Sequence, residues 1–210
     1  MSDTSSIWLE EVATGALVPA ELLNPITDQQ IIDWQRLWRP ERDARINKLK
    51  HAGVPLADWP QSWHWEWDQK FHKVKSLLSH TSVGITCNGQ TQGLMSLDFV
   101  TNRGRLPEQI KLELAYVDYL EVAPWNWKDN RFDPPRYNFI GYTMIRAAIE
   151  ISFSQGFKGR VGLHSLPQSI KFYENCGFVN MGDDSTYHSL PYFELMTNEA
   201  NAFLKRGAKS

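Results

Sequence analysis

The chain has 210 residues, 42% apolar and 22% charged, with a formal net charge of −2. That length carries one substantial core, and two full domains would each be small, so a single domain over 1–210 is expected. The near-zero charge provides no general pull toward phosphate backbones or anionic membranes, so nucleic acid is not the default partner.

Cys87 and Cys176 are the only cysteines and lack metal-ligand spacing, which points to two reduced core thiols and no metal site. Met1 to Leu23 begins acidic, has no basic region ahead of an apolar block, and no apolar run is long enough to span a bilayer. A soluble cytoplasmic protein with no membrane partner is expected.

In chain order, a strand is expected near Ile7 to Val12, then a loop with Pro19 and Pro25. Thr27-Asp28-Gln29-Gln30 has the form of a capping box, and Ile31, Trp34 and Trp38 follow at helical spacing, which predicts a helix from Asp28 to about Arg39. Pro40 bends or interrupts it, and Glu41 to Lys50 resumes it. From Pro60 to Leu78, Trp63, Trp67, Phe71, Val74 and Leu78 recur at intervals of three and four, a second helix whose stripe reads as core packing. Trp65 lies on its opposite face. His64, Asp68 and His72 share a face too, but as a metal set they are poor, and a solvated surface is the better reading.

Val83, Ile85 and Cys87 before Asn88-Gly89, with Met95, Leu97 and Phe99 after it, switch to a period of two and predict a β-hairpin. Ile110 to Ala123 reads as a long strand ended by Pro124, and Trp125 to Pro135 has loop composition. A long helix follows from about Asn138 to Gln155, with Gly156 at its stop. Gly159 to His164 reads as a brief buried strand. Pro167 to about Asn175 is a short helix ended by Gly177, Phe178 to Met181 a strand, and Pro191 to Thr197 a closing strand. The tail from Asn201 to Ser210 is expected to fray. This order describes a mixed α/β fold, a central sheet flanked by helices with a parallel, right-handed strand-helix-strand unit in the middle.

The phrase Ile170-Lys171-Phe172-Tyr173-Glu174-Asn175-Cys176-Gly177-Phe178 resembles the Ile-x-Leu-Tyr-Glu-x-x-Gly-Phe segment of the GNAT superfamily, the acetyl-CoA-dependent N-acetyltransferases. The order of elements from about Ser82 to Thr197 is similar to the GNAT fold, a mostly antiparallel sheet in which the long strand and the strand after it splay apart. The helical region from about residue 27 to 80 would then lie on the acceptor side. By this resemblance the pantetheine arm of the cofactor lies in the gap and bonds main-chain groups of Leu120-Glu121-Val122-Ala123-Pro124, which aligns with the family's apolar-x-Val-x-Pro phrase. The pyrophosphate would sit on Arg136-Tyr137-Asn138-Phe139-Ile140-Gly141, which resembles Arg/Gln-x-x-Gly-x-Gly/Ala except that Phe139 replaces the middle glycine. Tyr142 and Ser165 complete the implied cofactor contacts. Where the family often has an asparagine seven residues before the tyrosine, this chain has Leu166.

Acetyl transfer to an amine needs an uncharged nucleophile, donors for the developing oxyanion and a proton for the departing thiolate. The resemblance assigns the last role to Tyr173, and a main-chain amide near Val122 is the oxyanion candidate. For the base, Glu121 ranks first because it adjoins the proposed carbonyl position, Asp118 second and His164 third; a water chain is the open alternative. Trp65, Trp125 and Trp127 are expected to wall the acceptor site, where cation–π attraction would draw an amine. The expected activity is direct acetyl transfer from acetyl-CoA to a small-molecule or protein amine acceptor. A non-catalytic acyl-CoA-binding module is the alternative that Phe139 and Leu166 allow. A toxin-like aminoacyl-tRNA acetyltransferase is the third reading, against which the near-neutral charge argues. Homodimers are common in the family, and a homodimer is the assembly the resemblance suggests.

Overall fold

The computed structural model describes residues 3–206, so the last four residues of the tail read as frayed lie outside it. The chain divides into two compact units, Met1–Met95 with Leu120–Gly141, and Ser96–Tyr119 with the residues from Tyr142 on. Two strands, β4 (Gln90–Asp98) and β5 (Ala115–Val122), run from one unit into the other.

In the first unit, β1 (Asp3–Glu11) and β2 (Leu17–Asn24) form an antiparallel hairpin. Next to β2 comes β3 (His80–Cys87), then the first part of β4 and the last part of β5, while the short β6 (Tyr137–Asn138) pairs with the end of β1. The hairpin β1–β2 corrects the loop expected around Pro19. Pairing of β2 with β3 begins only at Ala20, so the missing N–H of Pro19 leaves no gap on that side. The Asn88-Gly89 turn joins β3 to β4 as expected, both residues at positive φ (51° and 70°).

The helix opening at Thr27 has its capping box, with Thr27 and Gln30 bonded reciprocally. It runs as α1 (Asp28–Asp33), widens into a π-helical turn at Trp34–Trp38, and continues as α2 (Arg39–His51). The wide turn accommodates Pro40: the Arg39 N–H reaches back to the Trp34 carbonyl, five residues away, and the axis passes the proline unbroken. Trp34 and Trp38 are both 1% exposed, and Trp38 Nε1 donates to the Thr91 carbonyl at 2.7 Å, while Asp33 accepts from the Thr91 amide and hydroxyl. The buried Asp33 carboxylate and the Trp38 indole thus fasten this helix to β4.

The second helix is shorter than its periodicity predicts. Only α3 (Trp67–Val74) is helical; residues 61–64 form a turn, and Leu78 is fully exposed. Of the apolar stripe, Trp67 and Phe71 are buried as expected, at 1% and 5%.

In the second unit, β5 begins at Ala115, where Ile110 to Ala123 had been expected to be strand throughout. Lys111 sits at φ 63°, and both Ile110 and Leu112 are exposed, so an apolar spacing of two belongs here to a loop. As expected, β7 (Val161–His164) lies parallel to β5, with α4 (Ile140–Ser154) between them in the chain. Their pairing ends at Val117 and Leu163, while β5 runs on to Val122. Gly162 lets them close: a Cβ there would lie 2.7 Å from the Tyr192 hydroxyl and 3.1 Å from Leu114. α5 (Ile170–Cys176) stops at Gly177 in the left-handed conformation, φ 95°. Beyond it β8 (Val179–Asp184) and β9 (Leu190–Leu195) form an antiparallel pair, with β9 against β7. The tail is not frayed through residue 206. It forms α6 (Thr197–Arg206), whose Ala200 and Phe203 are completely buried, which corrects both the tail and the strand drawn to Thr197. Among the described residues no helix is long and apolar enough to cross a membrane.

Candidate active site

Glu121 stands one position before the end of β5 and is 6% exposed. Trp67 Nε1–H donates to its Oε2 at 2.6 Å, and Ser62 supplies a second hydrogen bond. Burial pushes the carboxyl up to about 7, against those two bonds and the nearby positive charges of Arg42 and Lys70. The group therefore changes charge near neutrality, the condition for an efficient general base at that pH. The sequence placed Trp67 on a core stripe, and the missing inference was that a buried indole N–H needs an acceptor. Val122 is half-buried, and the Ala123 amide is taken by the Gln92 carbonyl at 2.9 Å, so Ala123 is not a free donor for a cofactor.

The loop after β5 is held by a buried amide network. Gln92 Oε1 accepts from Trp125 Nε1 at 2.8 Å and from Asn126 Nδ2 at 3.0 Å, and Asn126 Oδ1 accepts from the Tyr137 amide at 3.0 Å. Trp125 and Trp127 are only 5% and 8% exposed, which corrects the expectation that they form an open acceptor wall. Trp38 meets the edge of Trp125, and the Arg136 guanidinium lies 4.8 Å over it. Trp65 is half-buried, outside any helix, with the Lys70 ammonium 5.2 Å from its ring centroid.

In the proposed phosphate seat, Tyr137 and Asn138 belong to β6 and their polar groups are engaged. Tyr137 Oη accepts from Asn88, and Asn138 Nδ2 donates to Glu10. The expected helix therefore starts at Ile140. Phe139 is 54% exposed at φ 68°, so it takes the left-handed backbone that a glycine adopts freely, at a cost of about 1–2 kcal/mol for a residue with a Cβ. After it in the chain come the first amides of α4, which have no acceptor within their own helix, and before it comes the exposed Arg136, whose guanidinium donates to Gln90 Oε1 at 3.4 Å.

In the second unit Tyr173 is 7% exposed, its ring flanked by Phe172, Phe178 and Phe193. Burial pushes its phenol well above the usual tyrosine range, so the hydroxyl holds its proton at neutral pH. Among the described residues its hydroxyl has no hydrogen-bond partner and is not sealed from solvent, unlike a tyrosine locked in a core. His164 is committed elsewhere. The Tyr116 hydroxyl donates to Nδ1 at 2.6 Å, Nε2–H donates to Asp184 at 3.1 Å, and Tyr187 stacks on the ring at 4.0 Å. Burial holds its pKa below the ordinary histidine value although Asp184 opposes this. With both nitrogens bonded and a side chain only 1% exposed, His164 is set aside as a base. Asp118 is half-buried and within electrostatic reach of the Tyr116 and Tyr119 phenols. Ser165 is fully buried, its hydroxyl on the Leu166 carbonyl, and Tyr142 stacks on Phe203 at 4.2 Å.

No protein-family model matches the sequence, and no curated protein matches it. Solved structures do. The PaiA N-acetyltransferase from Thermoplasma acidophilum, determined with coenzyme A, is 16% identical with a TM-score of 0.52, covering 83% of this chain and 97% of its own. The GNAT domain of PAT from S. lividans is 11% identical, TM-score 0.52, over 91% of this chain and 96% of its own. FeeM, an N-acyl amino acid synthase from uncultured soil microbes, is 12% identical, TM-score 0.52, over 96% and 94%. At such identities the likeness is one of fold, and that fold is the GNAT fold.

Proposed function

We propose that this chain is an acyl-CoA-dependent N-acetyltransferase that moves the acetyl group of acetyl-CoA directly to an amine, with Glu121 as the base and Tyr173 as the acid. The amine nitrogen attacks the thioester carbonyl while Glu121 takes a nitrogen proton. The carbon–sulfur bond then breaks as Tyr173 gives its phenolic proton to the sulfur, leaving an amide and CoA thiol. The observation that carries this reading is the Glu121 carboxyl, buried on the strand end that resembles the family's thioester-binding phrase and poised at about 7. Direct transfer is favoured over an acyl-enzyme because burial pushes the Cys176 thiol up to about 11 and raises Cys87 as well, leaving neither as a nucleophilic thiolate.

Binding of coenzyme A is supported by the cradle at the start of α4. A strained left-handed Phe139 where a glycine would relax is backbone geometry retained at a cost, between Arg136 and the first amides of α4, which lack an acceptor within their own helix. PaiA from Thermoplasma was crystallised with coenzyme A on the same fold. The test is free-thiol release from acetyl-CoA with a panel of amines. Wild type releases thiol only with an amine present, and Glu121→Gln loses at least about a hundredfold in turnover, within the range for a general base. Equal rates in the two proteins would refute the assignment.

A further inference from the structure

Gln92, near the start of β4, is 1% exposed, and both ends of its side-chain amide are engaged twice. Nε2 donates to the Gln90 carbonyl at 3.2 Å and to the Cys87 carbonyl at 3.4 Å, while Oε1 accepts from Trp125 Nε1 at 2.8 Å and from Asn126 Nδ2 at 3.0 Å. Two carbonyls at one end and two N–H groups at the other fix which end is the oxygen. The Gln92 carbonyl also takes the Ala123 amide at 2.9 Å, so main chain and side chain together grip the chain two residues beyond Glu121.

The two side chains that Gln92 holds are in turn those that hold the beginning of the proposed diphosphate seat. The Arg136 amide donates to the Trp125 carbonyl at 3.3 Å, the Arg136 guanidinium lies 4.8 Å over the Trp125 ring, and the Tyr137 amide donates to Asn126 Oδ1 at 3.0 Å. Trp38 meets the edge of the same indole, at 6.4 Å between centroids. With its N–H tied to Gln92 and its edge against Trp38, the ring is fixed in plane, and the exposed Arg136 rests on a face that does not turn. An arginine held to one orientation has less freedom to lose when it meets an anion. Resting on the reading that coenzyme A seats its diphosphate at Arg136 to Gly141, we propose that Gln92 is a positioning residue for that seat. Through Trp125 and Asn126 it sets the Arg136 guanidinium and the backbone ahead of Phe139, and being buried it acts only through them.

The test is calorimetric titration of the whole chain with coenzyme A and with pantetheine, which lacks the diphosphate. Wild type is expected to bind coenzyme A the more tightly. Gln92→Met keeps the length of the side chain without its amide, and should lower coenzyme A affinity about tenfold, as loss of one charge-assisted contact would, while leaving pantetheine affinity as it was. In an Arg136→Ala background, where that contact is already gone, the same change should cost less than about twofold, because the two residues act as one unit. If Gln92→Met fails to fold, Trp125→Phe deletes one of the two donors, leaves Gln92 Oε1 its bond from Asn126, keeps a ring under Arg136, and should show the same split between the ligands. Coenzyme A affinity unchanged in these variants or in Arg136→Ala, equal losses for the two ligands, or full additivity with Arg136→Ala would overturn the inference and leave coenzyme A binding intact. A wild type that binds both ligands equally, or neither, would overturn the diphosphate seat itself and the inference with it.

Discussion

Replacing Trp67 by phenylalanine removes the indole N–H that stands 2.6 Å from Glu121 Oε2 while keeping an aromatic ring in the core. A hydrogen bond to a charged partner contributes about 1.5–3 kcal/mol, and each pKa unit corresponds to 1.36 kcal/mol, so the carboxyl rises by roughly one to two units. From about 7 it moves to the region of 8 to 9. Only the ionised form accepts a proton, so at pH 7 the active fraction drops from about half to roughly one-tenth or less, and kcat/KM falls about five- to fiftyfold. The deficit closes as pH rises past the new midpoint. The assay is the pH profile of kcat/KM at saturating acetyl-CoA, and a midpoint that stays put or moves down would refute the reasoning. A loss equal at every pH would do so as well, since it would trace to packing and not to titration. Stability supplies an independent reading of the same group. Burial holds the folded carboxyl at about 7 against its ordinary value of 4.5, so the folded state binds the proton more tightly. Stability from this site is full below about pH 4.5 and is lost as pH rises through 7, by about 3 kcal/mol in all. Glu121→Gln should remove that slope in urea titrations at a series of pH values.

Tyr173→Phe should lower turnover by more than about tenfold with chemistry rate-limiting and leave stability within about 0.5 kcal/mol, because the hydroxyl has no partner to lose; single-turnover kinetics and a melting curve check both. At Phe139, glycine should exceed alanine in stability by about 1 kcal/mol in urea unfolding, since both delete the exposed ring and only alanine keeps the left-handed strain; an alanine variant as stable as the glycine one would deny that the position is strained. The His164 pKa is lowered in the fold chiefly by burial, so its contribution to stability is present above the ordinary value of 6.5 and is lost as pH falls through the folded pKa. Comparing His164→Gln with its parent in a Glu121→Gln background, which removes the opposing carboxyl, should show a flatter decline below pH 6.5; parallel curves would count against it.

Much of the fold was legible because its signals are local. A capping box, a turn dipeptide that accepts positive φ, and a glycine after Cys176 act within a few residues, and each appears where the sequence puts it. Errors came where a regular spacing of apolar residues was read without its surroundings. The intervals from Trp63 to Leu78 and from Ile110 to Leu114 match a helix and a strand, yet the chain leaves regular structure there, with Leu78 and Ile110 in solvent. The helix α6 was missed because Ala200 and Phe203 are few among polar neighbours, and their burial depends on elements distant in the chain.

The same division holds for the candidate site. Local sequence was enough to single out the strand end around Glu121, the helix start at Phe139 and Tyr173 before its glycine, because each rests on residues adjacent in the chain. Whether a side chain is spent or available depends on partners tens of residues away. Tertiary structure alone tied His164 to Tyr116 and Asp184, buried Trp125 against Gln92, and gave Glu121 the indole of Trp67 and the burial that moves its pKa to neutrality. Desolvation is a property of the packed surroundings, and no spacing of letters along one strand encodes it.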